Sequence, residues 1–172
     1  MRKTLIITLF ALLGTSAMAQ EKIQWMSFED AVERCAKKPK MVFIDVYTDW
    51  CGWCKRMDQS TFANPVIAKY MNEHFYAVKF DAERQDTLTF QGKQFVGMMR
   101  PDGRKGSHQL AYALLKGKMS YPSYVIFNEK QQLIQVIPGY QEAKNFLPIL
   151  HFFAEDAFLT KTWKDFFDDY QK

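Results

Sequence analysis

Met41-Val42-Phe43-Ile44-Asp45-Val46-Tyr47-Thr48-Asp49-Trp50-Cys51-Gly52-Trp53-Cys54-Lys55 is the stretch around which this chain is organised. Its first four residues are an unbroken apolar run and read as a buried strand. A short aromatic turn follows, and then the first turn of a helix, with two cysteines two residues apart at the junction. If that helix starts at or near Cys51, the sulfur lies against unpaired backbone N–H groups and the positive end of the helix dipole. Both favour thiolate over thiol, which makes Cys51 a nucleophile. Cys54, about one turn on and pointing inward, is within reach to form a disulfide with Cys51 and to attack a mixed disulfide formed there.

On the C-terminal side, Lys55-Arg56-Met57-Asp58 continues the helix toward Phe62. Asn64-Pro65 reads as an N-cap followed by proline at the first helical position, and Val66, Ile67, Tyr70, Met71 and Phe75 follow at helical spacing. Phe75 to Asp81 is aromatic and β-branched, a strand. The resulting βαβ unit carries the cysteines at the carboxyl end of its first strand, where sites form in α/β sheets. On the N-terminal side, Ser27 reads as an N-cap with Asp30 three residues on, and Phe28, Ala31, Val32 and Cys35 share one helical face. Cys35 sits on that apolar stripe, so it reads as a small buried hydrophobe and not as a third redox thiol.

Residues 82–106 divide into a hairpin and a loop. Thr87 to Val96 alternates on both sides of Gly92, the pattern of a small β-hairpin. Arg100-Pro101-Asp102-Gly103-Arg104-Lys105-Gly106 is a loop with a cluster of positive charge, either solvated or a contact for an acidic partner. Ser107 to Lys116 reads as a helix stopped by Gly117. Pro122 stands at the mouth of the strand Ser123 to Phe127, where it donates nothing to a sheet. Asn128 to Gln131 turns into a second strand, Gln132 to Ile137. A final helix runs from about Gln141 to Phe153 with Pro148 inside it, and Trp163 to Tyr170 is a short amphipathic tail helix.

The length, 172 residues, fits one domain with an appendage, and 48% hydrophobic residues give ample core material. Met1-Arg2-Lys3, the apolar run Leu5 to Leu13 and Ala17-Met18-Ala19 have the three parts of a secretory signal peptide, with cleavage expected after Ala19. The run is short for a membrane anchor, so no stable membrane insertion is expected after cleavage. The formal charge of +4 falls to +2 without Arg2 and Lys3. There is no basic stripe for nucleic acid. Export, to the periplasm, removes the cysteines from the reducing pools of the cytoplasm, so a reducing pair there needs an electron donor.

The order helix, strand, Trp-Cys-Gly-Trp-Cys-Lys helix, strand, helix, Tyr-Pro-Ser strand, strand, helix resembles the thioredoxin superfamily over roughly residues 25–155, and within it the exported thioredoxin-like proteins most closely. The resemblance implies an α/β thioredoxin-like fold, a central mixed sheet flanked by helices with an insertion before the cis-proline strand. The domains expected are a signal peptide at 1–19, a thioredoxin-like domain at 20–158 with its insertion at 82–106, and a helical tail at 159–172. Asp45, six residues before Cys51, matches a buried carboxylate of the family, Lys79 a lysine that faces it, and Pro122 the cis-proline opposite the disulfide.

Each match has its own physics. A carboxylate buried behind the cysteines has a raised pKa and can take the proton of Cys54 through water, and Lys79 tempers that shift. A cis Pro122 beside the exposed backbone of Tyr121 would let an extended substrate pair there, with Trp50, Gly52 and Trp53 completing the substrate-facing surface. Trp53 departs from the family, which places proline or, in strong oxidants, histidine at that position. With no cationic neighbour evident there, the pair leans toward reduction or isomerisation.

The expected function is therefore an exported thiol-disulfide oxidoreductase. Its catalytic residues are Cys51, Cys54, Asp45 and Lys79, and it needs no cofactor beyond the Cys51–Cys54 disulfide. Its partners are protein disulfide substrates and a membrane or soluble thiol-redox protein that regenerates it. Two other classes stay open, a thiol-based metal or cytochrome assembly factor and a binding domain with a static disulfide. His74, His108 and His151 all lie far from the cysteines in sequence, which disfavours a four-ligand zinc site.

Overall fold

A computed structural model describes residues 21–172. The signal peptide read at residues 1–19 lies outside them. Five strands form one mixed sheet in the order β1-β3-β2-β6-β7, with β1 Trp25–Met26, β2 Met41–Tyr47, β3 Phe75–Asp81, β6 Ser123–Phe127 and β7 Leu133–Pro138. β2 is central, parallel to β3 and antiparallel to β6. The crossover from β2 to β3 runs through α2 Gly52–Gln59 and α3 Pro65–His74.

The period of two along β2 sorts its side chains between two cores. Val42, Ile44 and Val46 join Phe28, Ala31, Phe80, Leu110 and Leu114 beneath α1 Phe28–Lys37 and α4 Gln109–Leu114. Met41 and Phe43 point the other way, into a cluster with Met57, Phe62, Ile67, Met71, Tyr124, Phe146 and Leu150 beneath α2, α3 and α5 Ala143–Ala154. Asp45 shares the parity of Met41 and Phe43, so the strand carries a carboxylate into the apolar layer under α2.

The helix starts follow local chemistry. Ser27 Oγ accepts the Asp30 N–H at 3.0 Å, and Asn64 Oδ1 accepts those of Val66 and Ile67. Each such cap is worth about 1 kcal/mol. Elsewhere the structure corrects the sequence reading. α2 stops at Gln59, short of Phe62, where the Phe62 N–H reaches back five residues to the Met57 carbonyl in place of a helical bond. α4 is shorter than expected and is capped by His108, whose Nδ1 accepts the Leu110 N–H while Nε2 bonds the Asp86 carbonyl. The two-residue β1, paired through Trp25 and Ala77, is too short to leave a periodic signal.

The insertion forms the hairpin β4 Thr87–Phe90 and β5 Lys93–Val96, turned by Gln91 and Gly92, both at positive φ. It is not detached: Phe90 packs edge-on against Phe28 at 5.1 Å and stacks on Phe127 at 5.7 Å. The tail helix α6 Trp163–Tyr170 is fixed to α5 through Phe166 and Trp163, both against Phe152.

Candidate active site

The chain leaves β2 at Tyr47 and folds the Cys51 N–H back onto the Thr48 carbonyl at 3.1 Å, which seats Cys51 as the N-cap of α2. Its Sγ accepts the Cys54 N–H at 3.0 Å and is bonded to Cys54 Sγ. A sulfur in the place of a capping oxygen receives the partial positive charge of the helix start, which stabilises it as an anion once the disulfide opens. The leading sulfur, read from the sequence as a nucleophile, is closed off in the disulfide form: Cys51 is 4% exposed and Cys54 3%.

Exposure lies instead in the aromatic residues around the pair. Trp50 is 63% and Trp53 56% exposed. The Trp50 indole donates to Glu83 Oε2 at 3.0 Å, Arg100 holds the other Glu83 oxygen at 3.3 Å, and the Tyr121 ring meets Trp50 edge-on at 5.8 Å. Trp53 leans on Tyr140 at 5.5 Å, with the Arg56 guanidinium over both rings at 5.5 and 5.6 Å. The expected lack of a cation near Trp53 is thus corrected by Arg56, which lies three residues along on the same helix face. Gly52 has open space where a Cβ would stand, leaving bare backbone beside the sulfur.

On β2, in the layer beneath α2, Asp45 is 1% exposed. Burial pushes its carboxyl up to about 6 against the downward pull of Lys79. Lys79, its register partner on β3, donates to Asp45 Oδ2 at 2.7 Å. Asp45 Oδ1 is buried with no hydrogen-bond partner. Burial pulls Lys79 down, but Asp45 and Asp58 outweigh it and hold the ammonium above its usual range. Lys79 also faces the rings of Trp25, Tyr47 and Phe62. Asp58, bonded to Lys79, was not singled out in the sequence. Its signal was available, since it lies one helical turn after Cys54. Tyr124, opposite Asp45 on β6, was missed as well. Its hydroxyl is buried without a partner and is raised by burial and then by Asp45.

The Tyr121–Pro122 peptide bond is cis. The pairing of Val46 with Ser123 places Tyr121 and Pro122 at the end of β2 from which the cysteine loop departs. The Pro122 carbonyl is taken by the Gly139 N–H at 2.8 Å. The structure therefore links buried Asp45 through half-buried Lys79 to exposed Asp58, and brings Trp50 and Tyr121 into one aromatic wall. Cys35 stays apart as a free, buried thiol. Among the described residues no group of three or more His, Cys, Asp or Glu side chains is placed to hold a metal ion, and no helix is long and apolar enough to cross a membrane.

Comparison with known proteins places this geometry. The thiol:disulfide interchange protein DsbD of Vibrio vulnificus is 35% identical over 71 residues, 40% of this chain and 12% of that protein. The chain spans only about a tenth of the length of the curated relatives it matches. Among solved structures, one titled DsbH Oxidoreductase has a TM-score of 0.56 at 16% identity and covers 84% of this chain and 92% of its own. A thioredoxin-fold protein from Helicobacter pylori has a TM-score of 0.58 at 17% identity, covering 89% of both chains. These likenesses carry the mixed α/β thioredoxin-like fold. The model of the Thioredox_DsbH family, described as "Protein of unknown function, DUF255", matches residues 14–137. By that match the chain belongs to the Thioredox_DsbH family of thioredoxin-like proteins.

Proposed function

We propose that this protein is an exported thiol-disulfide oxidoreductase that reduces or exchanges disulfides in extracytoplasmic proteins through Cys51 and Cys54. The observation that carries the reading is the pairing of a disulfide at a helix N-cap with a buried carboxylate whose second oxygen has no partner.

In the reduced protein the Cys51 thiolate attacks one sulfur of a substrate disulfide. A mixed disulfide forms, and the other substrate sulfur leaves as thiolate and takes a proton. Cys54 then gives its proton to Asp45 through water and attacks Cys51 Sγ. The Cys51–Cys54 disulfide re-forms, and the second substrate thiol is released with two electrons transferred. Asp45 suits that role because a carboxyl raised to about 6 is a base poised near neutral pH. Lys79 keeps Asp45 from rising further, while the Asp58 charge pushes it the other way. Trp50, Gly52, Trp53, Tyr121 and Pro122 form the surface on which the substrate chain lies, with the backbone of Tyr121 as the pairing edge.

Regeneration needs a reduced dithiol partner, soluble or membrane-bound. No nucleic acid enters, given a near-balanced charge. The domain runs over residues 20–158, with the insertion at 82–106 as the element of partner choice and the tail helix beyond it. Insulin reduction by the mature chain tests the reading. Turnover by the native protein and none by Cys51→Ser is expected, and equal rates for the two would overturn it. The reduction potential of the couple then gives the direction of flow, a value near that of thioredoxin marking a reductase.

A further inference from the structure

The positive loop of the insertion folds back to the redox pair. Trp50, Glu83, Arg100, Arg104 and Lys105 line a pocket of about 410 Å³. Because Trp50 precedes Cys51, a group in this pocket lies within a residue or two of a sulfur joined to Cys51. Three of the five walls are cations and one is a carboxylate. That carboxylate, Glu83, is already engaged by the Trp50 indole and the Arg100 guanidinium. Arg104 is joined only to the exposed Asp102 two residues away, and Lys105 makes no ion pair among the described residues. Asp81 lies within electrostatic reach of Lys105 but is not part of the lining.

The cations stand on a fixed base. Arg100 and Arg104 are joined through the backbone at 2.8 Å, Gly106 donates to Met98 at 2.6 Å, and Met99 pairs with Lys105. A Cβ on Gly97 would stand 2.5 Å from Gln85 Cα, and one on Gly106 2.8 Å from the Met98 carbonyl oxygen. The loop is thus closed backbone against backbone, which fixes the positions from which its charged side chains extend.

We infer that this pocket is a subsite for an acidic side chain, Asp or Glu, next to the reactive cysteine of a polypeptide substrate. The inference rests on the oxidoreductase reading and adds the substrate class. A carboxylate there meets guanidinium and ammonium groups that internal pairing has not saturated, and the indole edge of Trp50 orients the chain that carries it. A basic flank in the same place meets like charge.

The test uses two disulfide-bridged peptides of one sequence, differing only in Asp-Glu or Lys-Lys beside the attacked cysteine. Reduced mature protein is mixed with each, and the second-order rate of peptide reduction is followed at low and high salt. The acidic peptide is expected to react about tenfold faster at low salt, with the gap closing at high salt. In the double variant Arg104→Glu with Lys105→Glu the order of the two peptides inverts. Equal rates for both peptides with the native protein would overturn the subsite and leave the redox reading standing. No reduction of either peptide would sink the redox reading, and the subsite with it.

Discussion

Cys35, within α1, and Cys51, the N-cap of α2, are buried to nearly the same degree, 1% and 4%, yet their surroundings differ. What separates them is the direction of the hydrogen bonds at sulfur. Cys35, in the last turns of α1, donates to the Lys40 carbonyl at 3.3 Å and to the Glu129 carbonyl at 3.4 Å. Both partners are acceptors, so the sulfur there serves as a donor. Cys51, one position before α2, accepts an N–H from Cys54 and sits at the positive end of the dipole. Donors to sulfur favour the charge. The polarity of the backbone around each sulfur, and not its exposure, is thus what distinguishes the two cysteines.

The sharpest way to break that contrast is to exchange each sulfur in turn. Cys51→Ser is expected to abolish insulin reduction to the level of the uncatalysed reaction, while Cys35→Ser leaves the turnover rate unchanged. If Cys35→Ser were instead the inactive variant, the bond-polarity argument would be wrong at its root.

Smaller, but still large, is the effect of the carboxylate behind the pair. Asp45→Asn is expected to slow resolution of the mixed disulfide roughly a hundredfold, the usual scale of a lost general base. The mixed disulfide should then accumulate and be seen by mass spectrometry after an acid quench. Normal resolution in Asp45→Asn would mean that Cys54 loses its proton directly to solvent.

These expectations rest on parts of the molecule that were unequally legible in the sequence. The caps at Ser27 and Asn64-Pro65 were readable because the bonds that make them span only a few residues. The burial of Asp45 was legible only through the family resemblance, because β2 is apolar on both faces and shows no alternation. The Glu83–Arg100 clamp on Trp50 was not readable, because it joins three positions that meet only when the insertion folds back. Nor was the burial of Cys51, which depends on the rotation of one side chain at the cap. Asp58 and Arg56 fell between these cases, since their helical spacing was visible but the neighbours that give it meaning lie on β3 and beyond β7.

The same carboxylate also makes a prediction about stability. Its folded value of about 6 lies above the ordinary 3.8, so the folded state holds the proton more tightly than the unfolded one. Asp45 therefore costs nothing below about pH 4, and its cost grows as the pH rises through 6. Between those two values the penalty builds to about 3 kcal/mol and then stays level, the opposing pull of Lys79 being already contained in it. Asp45→Asn is expected to be more stable than the native protein by roughly 3 kcal/mol at pH 7 and to match it near pH 4. Urea unfolding at the two pH values measures the difference, and a variant less stable at pH 7 would mean that the Lys79 bond outweighs desolvation.

The mildest change returns to Cys35. Its acceptors belong to the loop entering β2 and the turn after β6, so one sulfur joins α1 to two separate connections across the sheet. Cys35→Ala removes that tie and leaves a gap the size of one sulfur, at a cost of about 1 kcal/mol. Thermal unfolding should report this loss while the insulin rate stays at the native value. A falling rate with unchanged stability would reverse the assignment, since a thiol that matters to turnover but not to folding is taking part in the exchange. Stability lost at constant rate is what a cysteine held as a donor predicts, and it is the counterpart of a cysteine at a helix cap whose removal costs turnover and not the fold.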